Sequence, residues 1–234
     1  MRARPLGGAV RGEAGRLKQA EKTLVQCDFD GTVTVEDISV LLLDAFGDSD
    51  WRRWEKEYQE GRISVGQFNS LVFGTVRADR ATMLEYARQK AVIRPGFAEF
   101  VGMCLRSGFR LVIVSNGLQF YIEQLLKDIG MAEIEMHAAR TRFSPNGLRV
   151  EYVGPDGNAV DSGFKDAYAH MFLADGYRVV YIGDGRSDLA PASLCHQVFA
   201  AADTGSLLSL CRATGVECRP FSSFHDIVRA IESR

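Results

Sequence analysis

Two aspartates, Asp28 and Asp30, follow the apolar run Thr23-Leu24-Val25-Gln26-Cys27, which reads as a β-strand. Residues two apart on a strand point to the same side, and Gly31 lets the chain turn sharply where the strand stops. Two carboxylates at the carboxyl end of a strand, followed by Gly31-Thr32, suit a metal-assisted nucleophile with an acid/base beside it. The plainer reading is an Asp-rich strand-to-helix connection that caps a helix.

Three further groups sit at equivalent places. Ser115-Asn116-Gly117 follows the apolar strand Phe109 to Val114 at an expected helix start, where a hydroxyl and backbone N–H groups bind anions. Lys165 opens a helix after Ser162-Gly163-Phe164. Gly183-Asp184-Gly185-Arg186-Ser187-Asp188 is again a strand followed by a glycine-bearing turn. Alone, the first is a helix cap, the second a solvated lysine and the third a capped turn. In this order, each at a strand end or helix start, they converge on the edge of a sheet where ligands bind.

Electrostatics favours a cation among them. Two carboxylates about 4 Å apart repel by about 4 kcal/mol at an effective dielectric near 20, so gathering Asp28, Asp30, Asp184 and Asp188 without one is costly. An all-oxygen donor set with neither His nor Cys selects a hard ion that meets phosphate, which means Mg²⁺. Lys165 would then neutralise phosphoryl oxygens in the transition state.

The four motifs together resemble the haloacid-dehalogenase superfamily of phosphohydrolases, and the resemblance spans residues 23 to about 230. It implies that Asp28 is the nucleophile that becomes an aspartyl-phosphate. Asp30 would protonate the leaving alcohol and later activate water. Ser115, Asn116 and Gly117 would bind the phosphoryl group with Lys165. Mg²⁺ would be held by Asp28, the Asp30 carbonyl oxygen and Asp184, with Asp188 supporting that shell. A helical insert just after the first motif resembles the phosphoserine-phosphatase-like branch. Within it, Cys27 to Thr34 and Tyr181 to Leu189 are most similar to the 2-hydroxy-3-keto-5-methylthiopentenyl-1-phosphate phosphatases of methionine salvage. The phosphoserine pattern fits less well: Gly31 stands where that pattern has Ser, and Asp37, preceded by Glu36, where it has Glu.

The resemblance therefore implies a Mg²⁺-dependent phosphomonoesterase acting on a small phosphorylated metabolite, with the methylthiopentenyl phosphate as the candidate substrate. Phosphoserine hydrolysis, or phosphotransfer or mutase chemistry, is the alternative within the superfamily. A phospho-acceptor switch, in which the aspartyl-phosphate persists for a partner to read, is the alternative of another class. Glu36, Asp37, Arg62 and Phe68 are the candidate substrate contacts in the insert, and Arg77 is a further cation there.

These groups need elements to position them. Apolar spacing predicts four helices between Ile38 and Lys90, and the breaker Arg94-Pro95-Gly96 ends that stretch. Strands and helices then alternate, with a strand at 133–139 and a hairpin of 149–153 with 159–160 around Gly154-Pro155-Asp156-Gly157. The expected fold is α/β, a three-layer α/β/α Rossmann-like core with a parallel sheet. Its core comprises residues 23–35 and 95–234, and a small helical cap, residues 36–94, is inserted after the first strand.

Composition sets the outer bounds. A formal net charge of −2 gives no positive field for nucleic acid or an anionic membrane. No apolar run reaches the length of a membrane span. Five cysteines without a CxxC pair suggest reduced thiols and a cytoplasmic setting. Residues 1–22, carrying Arg2, Arg4, Arg11, Arg16, Lys18 and Lys22, are expected to form a disordered basic tail.

Overall fold

The computed structural model describes residues 22–233, so nearly all of the basic tail lies outside the described residues. A seven-stranded sheet forms the centre. Strand β1 (Thr23–Cys27) pairs in parallel with β2 (Arg110–Leu118) on one side and β5 (Arg178–Gly183) on the other. Beyond β2 come β3 (Glu135–Ser144), also parallel, and the antiparallel edge strand β4 (Gly147–Glu151). Beyond β5 come β6 (Gln197–Ala201) and β7 (Arg219–Phe221), both parallel. Leu24, Val25, Val112 to Val114 and Val179 to Ile182 are buried. Central parallel strands read as near-continuous apolar runs because both of their faces are covered.

Six helices follow the strands, as the alternation predicts: α5 (Phe97–Arg106), α6 (Gln119–Asp128), α7 (Phe164–Ala174), α8 (Leu189–Leu194), α9 (Leu207–Thr214) and α10 (Phe224–Glu232). Between β1 and α5 lie α1 (Ile38–Phe46), α2 (Arg52–Gln59), α3 (Val65–Phe73) and α4 (Arg80–Lys90). Three of their starts follow from capping side chains. Asp37 accepts from Val40 N at 2.9 Å, Asp79 accepts from Thr82 N at 2.8 Å, and Ser64 and Gln67 form a reciprocal capping box.

The chain enters and leaves this four-helix insert side by side. Thr34 and Ile93 form an antiparallel bridge, flanked by Val35 N to Val92 O at 2.9 Å and Arg94 N to Val33 O at 2.8 Å. Arg94, only 1% exposed, fastens this root. Its guanidinium donates to Gly31 O at 2.8 Å, Thr32 O at 2.9 Å and Asp203 Oδ1 at 2.8 Å. A second tie, Arg88 to Asp128, joins α4 to α6 through two N–H···O bonds of 2.6 and 2.9 Å.

Three expectations are corrected. The strand expected at 133–139 runs on to Ser144, because its continuation finds a partner in β4. The hairpin turn therefore lies between Ser144 and Gly147, and the expected turn at Gly154 to Gly157 closes only a single bridge, Val153 to Ala159. Ser115-Asn116-Gly117 does not open a helix. It ends β2, where pairing with β3 slips between Val114 and Leu118, and α6 starts only at Gln119. Among the described residues no helix is long and apolar enough to cross a membrane.

Candidate active site

The carboxyl ends of β1, β2 and β5 meet over one cavity of about 340 Å³, lined by Asp28, Asp30, Ser115, Asn116, Gly117, Lys165 and Asp184. Asp28 is held in the sheet by its own N–H, which donates to Ile182 O at 2.9 Å. Phe29 turns the other way and is fully buried, which leaves Asp28 and Asp30 on the cavity side as strand alternation requires. Gly31 has φ +71°, and a Cβ there would collide with the Asp184 carboxylate. Glycine is thus needed both for the turn and for the approach of the two acidic loops.

Lys165, in the first turn of α7 and 2% exposed, reaches Asp28 Oδ2 at 2.8 Å and Asp188 Oδ1 at 2.6 Å. Asp188 is fully buried with both oxygens engaged. Oδ1 accepts from Lys165 and from the Tyr181 hydroxyl at 2.6 Å; Oδ2 accepts from Asp184 N at 3.1 Å and Gly185 N at 2.8 Å. The sequence reading placed Asp188 in the metal shell. Its carboxylate, with four protein donors, braces Lys165 and the loop that carries Asp184, a supporting place at the edge of that shell.

The arrangement fits a hard divalent cation. One oxygen each of Asp28, Asp184 and Asp188 lie within 4.8 Å of one another. Asp28 Oδ1 is buried with no hydrogen-bond partner, an orphan that a folded protein seldom leaves. Burial pushes the Asp28 carboxyl up to about 6, with Lys165 opposing and Asp188 adding to the rise. Burial, then the charges of Asp188 and Asp28, push Asp184 well above the usual carboxylate range. Lys165 is raised as well: burial would lower it, but Asp188 and Asp28 outweigh burial and keep it charged. One lysine does not balance three carboxylates, and a divalent ion would.

Asp30 is a different carboxyl. Oδ1 accepts from Ile38 N at 3.3 Å and Oδ2 accepts from the Tyr121 hydroxyl. Burial and the nearby Asp37 charge push it well above its ordinary value, against the Tyr121 hydrogen bond. A carboxyl raised in this way is suited to act as a general acid. Ser115 Oγ accepts from Gly117 N at 3.0 Å, so its own hydrogen is free for an anion in the cavity. Gly117, expected to donate to phosphate, has its N–H used by Ser115 and contributes room instead.

The candidate contacts in the insert divide. Asp37 and Phe68 line the cavity, together with Ser39, Val40, Leu43, Tyr58, Gln59, Val65 and Asn69. Glu36 and Arg62 do not. Glu36 is exposed, and Arg62 is paired with Glu57 at 2.5 Å and with Glu60. Arg77 bonds to Gly74 O at 2.7 Å. Sequence reading missed Tyr121 and Asn69. The latter donates to Asn116 O at 3.2 Å beside Tyr152, whose hydroxyl donates to the same oxygen at 2.6 Å. An Asn and a Tyr falling on the buried faces of helices were the available signals.

Comparison with known proteins agrees with this geometry. Residues 25–193 match the family model of haloacid dehalogenase-like hydrolases. A 2-hydroxy-3-keto-5-methylthiopentenyl-1-phosphate phosphatase of Brevibacillus brevis is 30% identical, covering 91% of this chain and 96% of that protein. One from Geobacillus kaustophilus is 29% identical, covering 88% and 94%. Among solved structures, a phosphoserine phosphatase with a phospho-aspartyl intermediate analogue aligns at TM-score 0.66 and 15% identity, covering 90% of this chain and 99% of that one. Another, from T. onnurineus, aligns at TM-score 0.64 and 18% identity, covering 90% and 94%; these two are likenesses of fold. With a family match over most of its length and phosphatase relatives aligned end to end, the chain belongs to the haloacid dehalogenase-like hydrolases and is a phosphatase.

Proposed function

We propose that the protein is a Mg²⁺-dependent phosphomonoesterase that hydrolyses 2-hydroxy-3-keto-5-methylthiopentenyl-1-phosphate through a phosphoryl group carried on Asp28. The observation that carries the substrate reading is the wall opposite the carboxylates. Val40, Leu43, Val65 and Phe68, with Tyr58 stacked on Phe68 at 5.6 Å, give that wall an apolar surface suited to a methylthio group. The cations lining the cavity are Lys165, already paired with Asp28 and Asp188, and Arg186. Among the described residues the insert contributes none, so a substrate carboxylate such as that of phosphoserine would have only Arg186, which lies beside Gly61, to meet. The names of the aligned relatives support the same substrate.

Helices α1 to α3 supply that wall, which supports residues 36–94 as a cap that sets specificity over the chemistry of the floor. Asp28 Oδ1, Asp184 and the Asp30 carbonyl would hold the ion. Bound there, Mg²⁺ would offset the carboxylate repulsion and supply Lewis-acid polarisation to phosphoryl oxygens. Lys165 orients the Asp28 carboxylate and neutralises charge on the phosphoryl group. The Ser115 hydroxyl donates to a phosphoryl oxygen. Asp30 gives its proton to the leaving oxygen, then accepts one from the water that cleaves the Asp28–phosphorus bond. An acid/base at Asp30 keeps that bond short-lived, which supports a hydrolase over a phospho-acceptor switch.

The test is to compare kcat/KM for the methylthiopentenyl phosphate and phosphoserine with Mg²⁺ present. A preference of about tenfold or more for the former is expected from burying the apolar tail. Equal or reversed preference would sink the substrate reading.

A further inference from the structure

Both oxygens of Asp30 are held by groups that lead back to α1. Ile38 N–H donates to Oδ1 at 3.3 Å, and the Tyr121 hydroxyl donates to Oδ2. Tyr121 is fully buried in the first turn of α6, and its oxygen lies 2.8 Å from Ser39 Oγ on α1. The phenol has one hydrogen, directed at Asp30, so Ser39 is the donor in that second bond. A relay Ser39 to Tyr121 to Asp30 thus crosses from the insert to the catalytic floor. Gly117 makes it possible: a Cβ there would run into both Asp30 Oδ2 and the Tyr121 hydroxyl.

Resting on the reading of Asp30 as acid/base, we infer that Tyr121 is a positioning residue that selects the Asp30 oxygen exchanging protons with the leaving group, and that Ser39 couples this setting to the insert. In the role of acid, the Asp30 carboxyl carries one hydrogen. With Oδ2 accepting from Tyr121, that hydrogen resides on Oδ1, whose bond from Ile38 N is long. As an Asp28 oxygen bonds to phosphorus, the bond from phosphorus to the leaving oxygen breaks and its electron pair stays with that oxygen. The Oδ1 proton moves to it and leaves Asp30 ionised. Water then returns a proton to Oδ1 as its oxygen bonds to phosphorus and the Asp28–phosphorus bond breaks. Without the phenol hydroxyl, the carboxyl is free to rotate and present either oxygen, and the proton is no longer aimed.

The readout is the dependence of kcat/KM on the leaving group across aryl phosphates, from p-nitrophenyl to phenyl phosphate, with Mg²⁺. A misaimed acid matters most for phenolate, the poorer leaving group. Tyr121→Phe is expected to lower kcat/KM for phenyl phosphate about tenfold more than for p-nitrophenyl phosphate, within the ~10²–10⁴-fold that general acid catalysis supplies. Asp30→Asn should separate the two substrates by about 10²-fold. Ser39→Ala should separate them in the same direction by less. A merely structural Tyr121 would lower both substrates together. Parallel loss in Tyr121→Phe, while Asp30→Asn separates the substrates, overturns the role of Tyr121 and leaves that of Asp30 standing. Failure of Asp30→Asn to separate them overturns both. Should Tyr121→Phe not fold, as its melting curve would show, Ser39→Ala carries the test, and an unchanged substrate ratio there overturns the relay.

Discussion

At the scale of the residue, the site is a set of carboxylates that differ only in their partners. Asp188 is saturated by protein donors, Asp28 keeps one bare oxygen, and Asp30 is bonded at both oxygens and biased towards its neutral form. Asp28→Asn should therefore lower turnover of p-nitrophenyl phosphate by about 10⁴-fold or more, as removal of a nucleophile does, with an unchanged far-ultraviolet circular dichroism spectrum. Activity near that of the parent would remove Asp28 from the role. Lys165→Met leaves two buried carboxylates without their cation. In Mg²⁺-free urea unfolding it should cost about 3–5 kcal/mol, the penalty for breaking a buried pair; a loss below 1 kcal/mol would contradict the pairing. Asp28, Asp30, Asp184 and Lys165 were legible in the sequence because each stands at a strand end or helix start beside a glycine. Tyr121 was not, because its partner Asp30 lies 91 positions away and nothing local marks a phenol as more than core.

At the scale of the element, the helices of the insert announced themselves through apolar spacing, and the structure adds Asp37, Ser64 and Asp79 as caps at three of their starts. The length of β3 did not, since residues 140–144 become a strand only by pairing with β4. Nor did the slip that turns Ser115 to Gly117 into an irregular strand end, which depends on register with β3. The tie between α4 and α6 makes a prediction at this scale. Arg88 first, then Gln124, hold the Asp128 carboxyl down to about 2. A carboxyl lowered by folding adds stability above its unfolded value near 4 and loses it as pH falls through about 2. Asp128→Asn should thus melt slightly below the parent at pH 5 and 0.1 M salt, and the two curves should converge towards pH 2. The pair is exposed, so the gap should be small and shrink further with salt. A gap that widened on acidification would refute the assignment.

At the scale of the whole molecule, the three motif loops close on one another only if the sheet brings β1, β2 and β5 together, so an ion bound there should stabilise the entire fold. At 100 times its dissociation constant, Mg²⁺ adds about 2.7 kcal/mol, equivalent to roughly 5–11 °C in melting temperature for a chain of this size. Asp184→Asn should abolish most of that shift, and a parent protein that melts alike in EDTA and in Mg²⁺ would take the ion out of the site. The bridge of Thr34 with Ile93 has a separate consequence. Directly opposed residues in such a pair are only about 4.5–5.5 Å apart, so the 58 positions between them leave and rejoin the scaffold through a doorway one residue pair wide. A lineage that exchanged that whole cassette would need two splice points at its root and a replacement for Ile38 N–H and Ser39, which reach Asp30 and Tyr121 beneath it.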